Sequence, residues 1–418
     1  MGLWLLMPEL LRLGVWDLLR GWTGRLTGEV APRLALQLVS EAALCANGIR
    51  ERRCLSQKGF ELANGLPFVA TDTAIHCLLD DPTMAHTQEL QVALGRIRDA
   101  RGHFPGGLLA IDPHRLPSHS RRQMARHRPK PEQPAMKASQ SFFCIDATSG
   151  QPLCCTLSSS SRKVGQATPE LLGLADAILP AGPDRPLVLA DTEHYVAPLI
   201  DGIAREGRFD LLVPMPNQRY YQRQIRQLPD EAFTHRWAGM ATAKQPFHFK
   251  GDDRPFWQIV QRTGERSDDY RYRGFVCTAD RDEVDLLAAD FPKRWHIEEF
   301  FNVYQDMGWK KARTQNLNIR YAHMTMGLIA QAASYQLRRR LGPPFETWNA
   351  PHLANSLFRG LDGDVRVRGD RVIVTYYNAP ESERLSNQYE DLPEKLEREG
   401  IDPAVPWLYD FKLDFRFK

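Results

Sequence analysis

The chain has 418 residues, of which 43% are hydrophobic and 25% are charged, and its formal net charge is +3 at pH 7. These values match an ordinary globular protein with two or three structural units, and they exclude wholesale disorder. The net charge is uninformative by itself, but local runs such as RRQMARHRPK create a strong positive field inside a nearly neutral molecule.

Neither the cysteines nor the N-terminus indicates an exported or membrane protein. The seven cysteines are odd in number and contain no C-x-x-C pair, which argues against a disulfide scaffold and a structural zinc site. The apolar N-terminus is interrupted by Pro8, Glu9 and Arg12 before it reaches the roughly 20 residues that a bilayer requires, and it lacks the basic start of a signal peptide. We therefore expect a cytoplasmic protein with reduced cysteines and no membrane association.

Residues 1–104 are predicted to be mainly helical, because segments such as APRLALQLVSEAALCANGI carry apolar residues at helical spacing. The apolar run LLAID, residues 108–112, then predicts a buried strand that ends at Asp112. A long segment without apolar periodicity follows, with several prolines and many basic residues, among them Arg121 and Arg122. We interpret this segment as a flexible basic arm that grips phosphates; the alternative is a solvated, disordered insert.

The next elements alternate between strand and helix. SFFCIDATSGQPLCCTLSS predicts two strands joined by a hairpin turn, and RPLVLADTEHY predicts a strand that ends at Asp191. With two intervening helices and the strand FDLLVPMP, the pattern predicts a mixed sheet covered by helices. Residues 216–272 depart from this alternation and contain short strand-like segments. Near residue 370, VRVRGDRVIVTYY predicts a hairpin that turns at Gly369 and Asp370.

Two apolar strands thus each end in an aspartate, at Asp112 and Asp191. If the strands are parallel, both carboxylates lie at one edge of the sheet, where ligand chemistry collects in α/β folds. Asp146 is the alternative to Asp112. However, it ends a strand that is expected to run antiparallel to the first, which places it at the opposite edge, roughly 15 to 20 Å away by strand rise. We therefore favour Asp112.

The stretch FPKRWHIEEFF, residues 291–301, predicts an amphipathic helix. At about 100° per residue, Arg294, Glu298 and Gln305 lie within one narrow arc, and large apolar side chains occupy another. The simplest interpretation is an ion pair between Arg294 and Glu298 on a solvated face, which stabilises a helix by roughly 0.2 to 0.5 kcal/mol. If Glu298 instead joins Asp112 and Asp191, the three acids form an oxygen-only site that selects Mg²⁺ or Mn²⁺ and suits two-metal cleavage of a phosphodiester.

LVLADTEHY, followed further along the chain by FPKRWHIEEFF, resembles the second and third acidic motifs of DDE-type insertion-sequence transposases. The resemblance covers roughly residues 105–343 and is to the branch with a β-rich insertion and a Tyr, Arg, Glu, Lys signature. Arg294 and Glu298 match that signature, whereas Phe291 stands at the Tyr position and Gln305 at the Lys position. The first change removes a hydroxyl and the second removes a cation from the surface that would contact DNA.

The resemblance implies an α/β fold with a ribonuclease H-like mixed sheet flanked by helices, and it implies Asp112, Asp191 and Glu298 as catalytic ligands of Mg²⁺, or of Mn²⁺ in its place. It also implies DNA cleavage and strand transfer at terminal inverted repeats by a homodimer assembled on paired ends of double-stranded DNA. The expected DNA-binding residues are Phe291, Arg294, Gln305, Arg121, Arg122, Lys310 and Lys311.

The expected organisation has an N-terminal helical region that binds DNA ends (1–104), a first part of the catalytic core (105–215), a β-rich insertion (216–272), the last core strand with the catalytic helices (273–343), and a C-terminal region (344–418). Two alternative functions use the same residues. One is a transposase-derived protein that holds DNA without cutting it, which the changes at Phe291 and Gln305 favour. The other is a different ribonuclease H-like nuclease.

Overall fold

The computed structural model of the chain describes residues 1–24, 29–46, 60–68, 70–118, 121, 123–128, 132, 134–251, 254–309 and 316–418. Contacts between Cα atoms divide the chain into two compact units. One unit is the continuous segment Asp99–Phe301, and the other joins Met1–Arg98 to Asn302–Lys418. The five-part organisation expected from the sequence stays a prediction.

The unit Asp99–Phe301 is built on one large mixed sheet. Its strands are β1 (Leu108–Pro117), β2 (Arg126–His127), β3 (Met136–Asp146), β4 (Gln151–Ser158), β5 (Leu187–Leu189), β6 (Asp210–Pro214), β7 (Thr234–Trp237), β8 (Met240–Phe247), β9 (Phe256–Thr263) and β10 (Arg271–Cys277). Within the described ranges their order is β4-β3-β1-β5-β6-β10-β9-β8-β7, with β2 also paired to β3. The α-helices of this unit are Val164–Ile178, Ala197–Glu206 and Arg219–Arg226. The first part of a fourth α-helix, Trp295–Tyr304, also belongs to it. This mixed sheet with flanking helices confirms the fold class expected for a ribonuclease H-like protein.

The strands of the predicted β-rich insertion extend the large sheet. β10 pairs antiparallel with β6 on one side and with β9 on the other, and β8 and β7 follow beyond β9. Apolar residues such as Ala243, Ile259 and Val260 are buried along β8 and β9. The sheet is therefore continuous from β4 to β7.

β1 runs parallel to β5, as predicted, with Ala110 beside Leu189. The expectation that this strand ends at Asp112 is wrong, because β1 continues to Pro117 and stays paired with β3. β5 accompanies β1 only as far as Ala110. Pro113 therefore lies where β1 has a neighbour on one side alone among the described strands, and such an edge tolerates a residue without an N–H group.

Asp146 lies toward the other end of β1, as predicted, but it is nearer to Asp112 than expected. In the β1–β3 register it lies three residues from Asp112, which is about 10 Å by strand rise. Its carboxylate is fully buried and accepts hydrogen bonds from the backbone N–H groups of Gly106 at 3.2 Å, Thr148 at 3.0 Å and Ser149 at 2.7 Å. Asp146 therefore stabilises the turn between β3 and β4.

The segment predicted as one amphipathic helix has three parts. Phe291–Arg294 forms a 3-10 turn, Trp295–Tyr304 forms an α-helix, and Gln305–Met307 forms a second 3-10 turn. The expected extent of the helix is therefore wrong, and α-helical spacing holds only for Trp295–Tyr304, which we call the Glu298 helix. Pro292 lies at the start of this segment, where its missing N–H group costs no helical hydrogen bond.

Aromatic side chains attach the Glu298 helix to the large sheet. Phe300 is buried, and its ring centroid lies 5.5 Å from that of Phe143 on β3. Phe301 stacks on His114 of β1 with the ring centroids 4.5 Å apart. The apolar side of the helix thus packs on β1 and β3, as the amphipathic pattern predicts.

The other unit is mainly helical. Its α-helices, besides the end of Trp295–Tyr304, are Met7–Arg12, Val15–Trp22, Val30–Ala43, Phe60–Ala63, Asp72–Asp80, Met84–Ala100 (which crosses its border), Leu317–Leu341, Ala350–His352, Ser382–Tyr389 and Leu392–Arg398. Tyr321, Ile329 and Leu337 are fully buried on Leu317–Leu341, which packs against Val30–Ala43. No helix in the described residues combines the length and the apolar character that crossing a bilayer demands.

A buried ion cluster ties the first helix of the chain to two later helices of the same unit. Glu9 is fully buried, and one of its oxygens lies 2.8 Å from Arg12 and 3.0 Å from Arg340. The other oxygen accepts a hydrogen bond from Gln336 at 2.7 Å, and Arg12 donates to Glu399 at 2.7 Å. Breaking a buried ion pair by removing one partner costs about 3 to 5 kcal/mol, so this cluster joins the two ends of the chain firmly.

A small sheet completes this unit. Its strands are β11 (Gly363–Arg368), β12 (Arg371–Tyr376), β13 (Ala404–Val405) and β14 (Phe411–Phe417), in the order β11-β12-β14-β13. β11 and β12 form the predicted hairpin, in which Arg368 pairs with Arg371 across Gly369 and Asp370. Gly369 has a φ of +61°, a left-handed conformation that glycine adopts without strain.

Replacing Phe300 with alanine tests how the Glu298 helix is held. Phe300→Ala is expected to lower the free energy of unfolding by about 3 to 5 kcal/mol, because it removes a buried ring from its contact with Phe143. Chemical denaturation followed by circular dichroism measures the change. The matched control is Trp295→Ala on the same helix, where the ring is 55% exposed and the expected change is within about 0.5 kcal/mol. Equal losses in the two variants would contradict this packing.

Candidate active site

The three acids predicted as metal ligands are carried by three elements of the unit Asp99–Phe301. Asp112 lies on β1, and Asp191 follows the end of β5. Because Ala110 and Leu189 are paired neighbours in the parallel strands, Asp112 and Asp191 each lie two residues beyond the same pair. Glu298 lies in the first turn of the Glu298 helix.

β1 directs Asp112 toward the face of the sheet that the Glu298 helix covers. Asp112 and His114 are two residues apart on the strand and so point to the same face. His114 stacks on Phe301 of the helix. Near the start of the helix, His296 Nδ1 lies 2.6 Å from the backbone oxygen of Ala147, which follows β3. The helix is thus fixed at two points over the strand that carries Asp112.

The charges of the three acids interact. Asp112 is half-buried, and the loss of solvent raises the pKa of its carboxyl group. The negative charges of Asp191, Glu298 and Glu193 also raise this pKa, which is about 8. A carboxyl group with this pKa is largely protonated at neutral pH. The charge of Asp112 therefore interacts with the charges of both Asp191 and Glu298, and the joint role of the three acids stays a prediction.

Arg294 supplies positive charge to this site. Its guanidinium donates a hydrogen bond to Glu298 Oε1 at 2.5 Å. The same positive charge acts to lower the pKa values of Asp112 and Asp191. The ion pair expected from the helical spacing is present, but it is not on a solvated face, because the Arg294 side chain is only 17% exposed.

Asp191 is held by neighbours that follow it in the chain. Its Oδ1 accepts a hydrogen bond from the backbone N–H of Glu193 at 3.0 Å and lies 2.9 Å from Nδ1 of His194, whose side chain is buried. Burial alone would raise the pKa of Asp191, but the hydrogen bond and charge of His194, the N–H of Glu193 and the charge of Arg294 lower it below its ordinary value. Asp191 is therefore ionised while Asp112 is largely protonated.

His194 and Arg115 support the site. The sequence analysis missed His194 and counted Arg115 only among the basic residues after the first strand, whereas the structure places it on β1. Arg115 lies three residues beyond Asp112 on β1 and pairs with Glu193 at 2.6 Å, which joins the strand to the turn after Asp191. The signal available in the sequence was proximity alone, since each residue lies three positions after a predicted acid. Proximity does not reveal which side chains turn toward the site.

The donor atoms of the three acids fit a hard divalent cation, because carboxylate oxygens are the ligands that Mg²⁺ and Mn²⁺ prefer. In the described residues, however, no group of three His, Cys, Asp or Glu side chains is arranged to hold a metal ion. An oxygen of Glu298 instead accepts a hydrogen bond from Arg294, and an oxygen of Asp191 contacts His194. The assignment of Asp112, Asp191 and Glu298 as metal ligands stays a prediction.

The remaining predicted DNA-binding residues are only partly described. Arg121 is exposed, and Gln305 begins the 3-10 turn Gln305–Met307. Arg122, Lys310 and Lys311 lie outside the described residues. Contact with DNA stays a prediction for all of them.

Phe291 supports a second guanidinium beside the site. Its ring lies edge-on to Phe275 of β10, with the ring centroids 4.9 Å apart. The guanidinium carbon of Arg273, also on β10, lies 5.0 Å from each of the two ring centroids. The sequence analysis missed Arg273, because no short-range pattern connects it with Phe291.

Comparison with known proteins identifies the family. No curated protein matches this chain in sequence. Among solved structures, the cryo-EM structure of a piggyBac transposase synaptic complex with hairpin DNA resembles it with a TM-score of 0.47 and 10% identity, over 85% of this chain and 79% of that one. A family model described as the transposase DDE domain matches residues 103–332, which include Asp112, Asp191 and Glu298. Because this match spans more than half of the 418 residues, the chain belongs to the transposase DDE domain family.

Proposed function

We propose that this protein is an active DDE transposase that uses Asp112, Asp191 and Glu298 to bind divalent metal, Mg²⁺ or Mn²⁺, and to cleave and transfer DNA strands at the terminal inverted repeats of an insertion sequence. Family membership supports DNA cleavage and strand transfer as the class of reaction. The observation that carries the site assignment is the interaction of Asp112 with both Asp191 and Glu298, which helps to raise the pKa of Asp112. Ionised carboxylates repel one another, so a site that gathers three of them suits a cation.

The two aspartates have different parts in this proposal. Asp191 is kept ionised by His194 and the N–H of Glu193, so it is ready to act as a ligand. Asp112 loses its proton when added positive charge offsets the neighbouring acids. When bound, divalent cations supply positive charge to the attacking and leaving oxygens of a phosphodiester.

Arg294 has a proposed role in binding phosphate. The guanidinium pairs with Glu298 in the structure. A guanidinium has five N–H donors in a planar arrangement, so it can contact a phosphate while it remains near the acids. Arg294 would then hold the DNA backbone beside the carboxylates, and Glu298 would become available as a ligand.

The proposed reaction has two balanced steps. In cleavage, a water oxygen forms a bond to phosphorus, the bond from phosphorus to the 3′ oxygen breaks, and the released oxygen takes up a proton. In strand transfer, the freed 3′ hydroxyl loses its proton as its oxygen bonds to phosphorus in the target strand. The bond from that phosphorus to the target's 3′ oxygen breaks, and the released 3′ oxygen takes up a proton. The number of phosphodiester bonds falls by one in the first step and is unchanged in the second.

We extend the proposal to the partners of this enzyme. The substrate is double-stranded DNA, and the N-terminal helices, residues 1–104, bind the end sequences. The predicted contacts other than Arg294 are Phe291, Gln305, Arg121, Arg122, Lys310 and Lys311. Two copies of the chain are expected to assemble on paired DNA ends.

A pair of neighbouring substitutions tests the catalytic assignment. Glu298→Gln is expected to reduce metal-dependent cleavage at least about 100-fold, because the amide keeps the shape of the side chain but removes its charge. Glu299→Gln is the matched control, since Glu299 is adjacent and exposed and is expected to leave cleavage unchanged. The assay uses a labelled duplex with the inverted repeats that flank the gene, in Mg²⁺ or in EDTA.

Each outcome of this assay favours one function. Cleavage at the repeat boundary that needs metal and Glu298 supports the transposase. Binding of the repeats without cleavage by the wild type favours the DNA-binding alternative. Cleavage of unrelated duplexes at the same rate favours a general nuclease.

Asp112→Asn tests the charge balance of the site through stability. Because the pKa of Asp112 is about 8 in the folded protein and its ordinary value is 3.8, the folded protein keeps a proton that the unfolded chain releases between these values. The stabilising contribution of Asp112 is therefore complete below about pH 4 and is lost as the pH rises toward about 8. In EDTA the variant is expected to melt above the wild type at pH 8, and the difference is expected to vanish toward pH 4, as followed by thermal unfolding.

The same variant reports on metal binding. Mg²⁺ or Mn²⁺ at pH 8 is expected to raise the melting temperature of the wild type, because a ligand of the folded state stabilises it, and to have a smaller effect on Asp112→Asn. The matched control is Asp146→Asn, which weakens the turn after β3 and lowers the melting temperature but keeps the response to metal. An equal response of Asp112→Asn and the wild type would exclude Asp112 as a ligand.

A further inference from the structure

Among the described residues, Arg273 lies near a second guanidinium and two aromatic rings, and no acidic partner of it is found there. In the described part of the chain it forms no ion pair with any carboxylate, in contrast to Arg294, which pairs with Glu298. Its charge interacts with that of Arg294, and burial together with this like charge lowers the pKa of Arg273. Two guanidinium groups therefore lie near each other, and only one of them has a counter-charge.

Two aromatic rings hold the Arg273 side chain. Arg273 and Phe275 are two residues apart on β10 and so lie on the same face of the strand. The guanidinium is 5.0 Å from the ring of Phe275 and 5.0 Å from that of Phe291. Contact with aromatic faces favours the cation and leaves its in-plane N–H groups free for an anion.

The position of Phe291 connects Arg273 to the active site. Phe291 is the first residue of the 3-10 turn that ends at Arg294, and the Glu298 helix begins at the next residue. The ring that supports Arg273 therefore belongs to the segment that carries the charged pair of the site. An anion bound by Arg273 would lie near Arg294 and would relieve the repulsion between the two guanidinium groups.

We propose that Arg273 binds a backbone phosphate of the DNA next to the phosphodiester that is cleaved, and that Phe291 holds its guanidinium in place. The proposal rests on the proposed function, because it takes DNA as the ligand. A planar guanidinium on a rigid support suits bidentate contact with a phosphate. Arg273 thus supplies a phosphate-binding cation within the unit Asp99–Phe301.

Binding in EDTA separates this proposal from catalysis. Fluorescence anisotropy measures the affinity of the full-length protein for the inverted-repeat duplex at several salt concentrations. Arg273→Ala is expected to weaken binding about tenfold and to reduce the slope of log affinity against log salt by about one, as the loss of one phosphate contact predicts. Arg273→Lys, which keeps the charge but not the planar group, is expected to lie between Arg273→Ala and the wild type.

Arg271→Ala is the matched control, because it removes an equal charge from the same strand. It is expected to change affinity less than about twofold and to keep the salt slope of the wild type. An equal loss in Arg271→Ala and Arg273→Ala would overturn the proposal in favour of a diffuse positive field. Unchanged binding by Arg273→Ala would also overturn it.

A double variant tests the support that Phe291 gives. Phe291→Leu is expected to weaken binding in the wild type but not in the Arg273→Ala background, because the ring acts through Arg273. Additive losses would overturn this role of Phe291. Wild-type protein that bound the duplex but did not cleave it in Mg²⁺ would contradict the proposed function alone, and wild-type protein that bound no duplex would contradict both.

Discussion

Repulsion among acids gathered where the Glu298 helix packs on the large sheet is the constraint on which this site depends. Asp112, Asp191 and Glu298 come from a strand, the end of its parallel neighbour and a helix packed across the sheet, and they would repel one another if all were ionised. The structure reduces this repulsion in a different way for each acid. Asp112 keeps a proton, Asp191 is held by His194, and Glu298 pairs with Arg294. In the proposed function, bound divalent cations would offset the charges of all three acids in place of the proton, His194 and Arg294.

The placement of Asp112 and Asp191 at corresponding positions of neighbouring strands could be predicted. Buried parallel strands are short apolar runs, and both acids follow such runs. The continuation of β1 to Pro117 could not be predicted. Its outer half pairs with β3 alone, so one side of the strand is open and the residues there are not uniformly apolar. The distance to Asp146 was overestimated for the same reason, since Asp112 lies within the strand and not at its end.

The Glu298 helix shows which contacts the spacing of residues in the sequence can predict and which it cannot. A spacing of four residues predicts the contact between Arg294 and Glu298, and it also predicts the apolar side that Phe300 provides. It does not reveal whether the pair faces solvent or other acids, because that depends on where the helix packs. Arg273 is harder still to find. Its contact with Phe291 exists only after β10 and the turn before the Glu298 helix have folded together, and no local pattern records such a contact.

The buried ion cluster around Glu9 has a consequence for the order of events during synthesis. Glu9 and Arg12 leave the ribosome more than 300 residues before Arg340 and Glu399, with which they form contacts. The unit that contains them cannot close until then, but Asp99–Phe301 is continuous and can fold earlier. A chain that stopped before Glu399 would keep the helix of Glu9 without its final partners. Closure of this unit is thus tied to translation as far as Glu399.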